Sequence, residues 1–128
     1  MSTPILVVED TPANMKFVTM LLRSAGHQVL QARTGEEGIA LAREHGPQLV
    51  LMDMNLPGMD GLQATRILKA DVRTRGIPVV AVTALAMAGD RERILAAGCD
   101  GYVAKPIRYK DFLQEVERFA PAPLRAAE

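Results

Sequence analysis

The chain has 128 residues, 48% of them hydrophobic and 23% charged, with fifteen basic side chains against fifteen acidic ones. That size and balance fit one compact globular domain and exclude a disordered chain. Cancelled charge argues against nucleic acid as a partner, and no apolar run is long enough to span a bilayer.

The first apolar run, Ile5-Leu6-Val7-Val8, is short and continuous and ends in Glu9-Asp10. It reads as a strand apolar on both faces, as in the middle of a covered parallel sheet. Pro12 opens a helix, with Met15, Val18 and Leu22 on one face and Gly26 as its stop. A weaker strand spans His27 to Ala32 and ends at Arg33-Thr34, an ordinary turn. The second helix starts near Gly35, turns Ile39 and Ala42 inward and stops near Gly46-Pro47. Leu49-Val50-Leu51-Met52 is the third strand, ending at Asp53, and a third helix begins near Gly61 with Leu62, Ile67 and Leu68. Val79-Val80-Ala81-Val82 is the fourth strand, ending at Thr83, and the fourth helix runs from about Met87 to Ala97 with Gly98 as its stop. The lone cysteine, Cys99, reads as a small packing residue in a reduced setting. A weak strand, Gly101 to Ala104, ends in Lys105-Pro106, and the last helix carries Phe112, Val116 and Phe119 at helical spacing. Residues 121–128 have little to bury and read as a flexible tail to one domain over residues 1–120.

Strands alternating with helices imply an α/β fold: a doubly wound, five-stranded parallel sheet of the flavodoxin-like kind, strand order 2-1-3-4-5. Such sheets bind ligands beyond the carboxyl ends of their strands. Four of these ends bring Glu9, Asp10, Asp53, Thr83 and Lys105 to one edge. Two carboxylates about 4 Å apart repel by roughly 4 kcal/mol at an effective dielectric near 20. A third acid adds to that, and Lys105 offsets only part. A hard divalent cation offsets more, and an all-oxygen donor set suits magnesium or manganese. With a cation bound, Asp53 is a plausible nucleophile toward phosphorus. The metal and Lys105 would neutralise the transferring oxygens, Thr83 would donate to one of them, and Ala84 is small enough to leave room.

At these positions the sequence resembles the response-regulator receiver family. The matching segments are Val7-Val8-Glu9-Asp10, Leu51 through Gly61, Val82-Thr83-Ala84 and Lys105-Pro106, and the likeness runs from about Ile5 to Phe119. It implies the CheY-like form of the fold and a phosphorelay protein. Asp53 would be the phosphoacceptor. Glu9, Asp10, Asp53 and the backbone carbonyl of Asn55 would hold Mg2+ (or Mn2+), with Thr83 and Lys105 on the phosphoryl oxygens and a cis bond before Pro106. It further implies a switch through Thr83 and Tyr102. The segments Glu9 through Lys16 and Thr83 through Arg91 look like those of DivK-type cell-cycle regulators and of the receiver modules of hybrid histidine kinases. The implied partners are a histidine kinase or histidine phosphotransfer protein and a downstream protein target, in the cytoplasm. No enzyme activity is implied beyond the protein's own phosphotransfer and dephosphorylation.

Arg91, Arg93, Arg108, Tyr109 and Lys110 lie on or near the expected output surface and are candidates for a partner contact. Leu85, two residues past Thr83, is a candidate for excluding a hydrolytic water. Three other readings stay open. A haloacid-dehalogenase-type phosphatase needs an acid two residues after its nucleophile, where this chain has Asn55. A flavin-mononucleotide binder needs a hydroxyl- and glycine-rich first loop, where this chain has Glu9-Asp10. An adaptor that signals without phosphoryl transfer would not need the full residue set.

Overall fold

The computed structural model describes residues 3–84 and 88–120. Leu85 and the expected tail, residues 121–128, lie outside the described residues. The strands β1 (Ile5–Val8), β2 (Val29–Ala32), β3 (Leu49–Asp53), β4 (Val79–Thr83) and β5 (Gly101–Ala104) form one parallel sheet in the order β2-β1-β3-β4-β5. The fold is the expected one. The strands that read as continuous apolar runs, β1, β3 and β4, occupy the sheet centre and are buried along their whole length.

The helices α1 (Pro12–Ser24), α2 (Gly35–His45), α3 (Gly61–Ala70), α4 (Ala88–Ala96) and α5 (Tyr109–Phe119) cover both faces of the sheet. Alternation along each strand divides the core in two, because successive strand side chains point to opposite faces. On one face Ile5, Val7, Leu49, Leu51, Val80, Val82 and Val103 pack with Met15, Val18 and Leu22 of α1 and with Phe112 and Val116 of α5. On the other, Leu6, Val8, Val50, Met52, Val79 and Ala81 pack with Ile39 and Ala42 of α2, Ala64 and Leu68 of α3 and Ile94 of α4. Cys99 is buried in this second layer, as a packing residue should be, and burial pushes its thiol up from the usual value.

Local chemistry sets the helix ends. Thr34 caps α2 by accepting a hydrogen bond from the Glu37 amide (3.0 Å), while the Glu37 carboxylate accepts one from the Arg33 amide (2.7 Å). Asp60 caps α3 in the same way, accepting from the Gln63 amide at 2.8 Å. The expected strand over His27 to Ala32 begins only at Val29. The His27 amide closes the end of α1 on the Leu22 carbonyl (3.0 Å), so the first two residues of that run finish the helix turn.

Candidate functional site

At the carboxyl edge of the sheet, β1 delivers Glu9 and Asp10, β3 delivers Asp53, β4 delivers Thr83 and the segment after β5 delivers Lys105. One carboxylate oxygen from each of Glu9, Asp10 and Asp53 lies within 4.8 Å of the others. Glu9 and Asp53 are 4% and 3% exposed, whereas Asp10 reaches further into solvent. Lys105 Nζ stands 3.3 Å from Asp53 Oδ1 and 3.7 Å from Glu9 Oε1, so one ammonium faces two buried acids.

Backbone donors hold the acids in place. The Asn55 amide donates to Asp53 Oδ1 at 3.0 Å, and the Thr11 amide donates to Glu9 Oε2 at 3.1 Å. Burial pushes the Glu9 carboxyl up from its ordinary range and the Asp53 charge adds to that, while the Thr11 amide and Lys105 act against it. Crowded acids with one lysine are short of positive charge, and every side chain offered is an oxygen donor. This donor set fits a hard divalent cation.

Interstrand bonds align the site. The Met54 amide donates to Val82 O (3.1 Å) and the Lys105 amide to Thr83 O (2.8 Å), which ties the ends of β3, β4 and β5 together. Thr83 is fully buried and Ala84 beside it is exposed. The bond between Lys105 and Pro106 is cis, as the resemblance implied. Gly61, the first residue of α3, lies against the backbone at the end of β3. A Cβ there would overlap the Asp53 carbonyl oxygen and come within 2.8 Å of Met54 Cα.

The residues singled out for signalling divide between two places. Tyr102 is half-buried on β5, with the Arg91 guanidinium 5.5 Å from its ring centroid, and both line a groove of about 1000 Å³ that Arg108 also borders. Tyr109 and Lys110 are exposed in the first turn of α5. Arg93 points elsewhere: it pairs with Asp90 at 3.3 Å and borders a smaller pocket with Asn55, Leu56, Asp60 and Leu62. Sequence reasoning did not find the Thr11 and Asn55 amides, the contact under Gly61, or the stacking of Arg91 on Tyr102. An Asp followed two residues later by a free amide is a recognisable side-chain turn, and that signal could have exposed the Asp53–Asn55 contact.

Comparison with known proteins agrees with this geometry. A family model described as the response regulator receiver domain matches residues 5–117. The polar-differentiation response regulator DivK of Brucella ovis is 44% identical over 119 residues, covering 93% of this chain and 97% of the relative. Among solved structures, the receiver domain of sensor histidine kinase PA1611 from Pseudomonas aeruginosa PAO1 superposes with a TM-score of 0.86 at 36% identity, covering 93% of this chain and 98% of that one. That structure has a magnesium ion coordinated in its active site cleft. The Vibrio cholerae chemotaxis protein CheY4 shares the fold with a TM-score of 0.87 at 23% identity, over 93% of this chain and 99% of that one. By its sequence, its strand order and the match along nearly its whole length, the chain belongs to the response regulator receiver domain family.

Proposed function

We propose that the protein is a phosphorelay response regulator that accepts a phosphoryl group on Asp53 in a magnesium-dependent reaction. The observation that carries this is the setting of Asp53. Its buried carboxylate is held on one oxygen by the Asn55 amide and Lys105, beside two further acids that share a possible cation site. Glu9, Asp10, Asp53 and the Asn55 carbonyl are the proposed ligands for Mg2+, with Mn2+ as a substitute. Bound there, the cation would neutralise phosphoryl oxygens and the carboxylates around them. Asp53 attacks phosphorus as the bond to a donor imidazole breaks, and the imidazole leaves with that electron pair. Lys105 and Thr83 hold the equatorial oxygens.

The donor is a histidine kinase or a histidine phosphotransfer protein, and residues 1–120 act as the receiver unit. This requires a kinase domain in the same compartment, which favours the cytoplasm. The signal leaves through Tyr102 and the face made by α4, β5 and α5, where Thr83 draws toward the phosphoryl group and Tyr102 turns inward. Arg91, Arg108, Tyr109 and Lys110 belong to the proposed partner contact. The polar-differentiation role named for the Brucella relative extends the proposal to control of cell polarity and the cell cycle. Asn55 is turned to solvent, meets Asp53 through its backbone and carries an amide side chain, so it does not supply the leaving-group acid of a phosphatase.

Incubation with acetyl phosphate and Mg2+ should add one phosphoryl group by intact-mass measurement. The addition should vanish in Asp53→Ala and when the metal is chelated. An unchanged mass, or equal labelling of the variant, would overturn the proposal.

A further inference from the structure

His27 sits where α1 turns toward β2, directly after Gly26. It is 4% exposed, and neither Nδ1 nor Nε2 has a hydrogen-bond partner. Among the described residues these are the only buried side-chain nitrogens or oxygens so placed. The contrast with other buried polar groups is direct. Thr65 and Thr74 donate to the carbonyls of Gly61 and Leu68, and Thr19 accepts from Gln31. An imidazole buried without partners loses its hydration with no return, and an imidazolium loses far more.

The backbone that carries the ring is fixed on both sides. Its own amide is bonded to Leu22 O at 3.0 Å, and the next residue, Gln28, accepts the Ile5 amide of β1 through its carbonyl at 2.9 Å. The buried ring is thus carried on main chain bonded to Leu22, which packs in one layer with Phe112 and Val116 of α5, and it lies close enough for the charge of Glu117 on α5 to act on it. Glu117 favours the protonated ring. Arg23 in the last turn of α1 is exposed, and neither β1 nor β2 has an ionisable side chain. Burial outweighs Glu117 and holds the imidazole below its ordinary value.

We infer that His27 is an acid-sensitive plug: the domain closes around the neutral ring, and uptake of a proton loosens the seam between α1 and α5. The sign follows from linkage. The unfolded chain binds this proton more readily than the folded one, so stability is fully present above the unfolded value of about 6.5 and falls as pH drops below it. Because α5 also borders the Tyr102 groove, acidification weakens the seat of the proposed output face without touching the acidic site at the other end of the strands.

Two measurements test this. In urea unfolding between pH 7.5 and 5, the folding equilibrium constant of the wild type should fall below about pH 6.5 by up to about tenfold per unit more than that of His27→Phe. In the wild type, ring NMR signals of His27 should remain those of the neutral form well below the pH at which a free imidazole titrates. Once they shift, the Phe112 and Val116 amides should lose exchange protection relative to those of β3. Equal pH slopes for the two proteins would overturn the inference. So would a ring that titrates as free imidazole does while α5 stays protected. The NMR arm decides the matter by itself if His27→Phe does not fold.

Discussion

Asp10 differs from its two neighbours in one respect that matters for binding: it keeps contact with solvent while Glu9 and Asp53 are enclosed. A hydrated cation would meet it first. Removing its charge should weaken metal binding and, at the same time, relieve repulsion in the metal-free protein. Saturating Mg2+, at about a hundred times its dissociation constant, should raise the unfolding free energy of the wild type by about 2.7 kcal/mol. Asp10→Asn should lose most of that gain and be no less stable than the wild type without metal. Thermal melts with and without Mg2+ check both parts, and equal magnesium shifts for the two proteins would contradict the assignment. At this scale the sequence was a good guide to side chains, because strand ends place them. Glu9, Asp10, Asp53 and Lys105 converge as expected. The amides of Thr11 and Asn55 went unread, since every residue has an amide and the one local hint is an acid two residues before it.

Helix α3 begins against the peptide that follows Asp53, and a single missing methyl group allows it. Gly61→Ala would push either α3 or the Asp53–Met54 backbone aside. Overpacking of this kind costs about 1–3 kcal/mol. The variant should therefore melt lower, and its labelling by acetyl phosphate should slow because Asp53 shifts relative to Lys105. Loss of stability with an unchanged labelling rate would show that α3 yields instead of the strand. Helix existence and order were readable from apolar spacing and from Gly and Pro punctuation, and Pro12 and Gly35 open their helices as expected. Which way an exposed side chain points was not readable. Arg91 and Arg93 are two residues apart on α4, so one leans over Tyr102 and the other over the loop after β3.

Across the whole molecule, the sheet is secured at the edge away from the acids by Lys69. Its ammonium donates to Ile77 O (2.9 Å), to Arg75 O (3.4 Å) and to Asp100 Oδ2 (2.9 Å), and that carboxylate oxygen also accepts the Val79 amide at 2.8 Å. Gly98 (φ 108°) turns the chain tightly over the Lys69 stem. The end of α3 and the starts of β4 and β5 thus meet at one side chain. Lys69→Met keeps the stem but strands these acceptors, so unfolding should become easier by about 1–3 kcal/mol. Labelling of Asp53 should proceed at the wild-type rate, and a slowed rate would reveal coupling between the two ends. The alternation of strands and helices made the five-stranded order legible from sequence. The Lys69 tie was not, because Lys69 and Asp100 stand 31 residues apart and nothing local marks them as neighbours.

A parallel sheet points all its strands the same way, so this domain keeps its reactive groups at one pole and its mechanical fastening at the opposite one. Substitutions that retune partner choice around the reactive pole leave the fastening intact. A lineage can therefore duplicate such a module and redirect it to new circuits while each copy still folds.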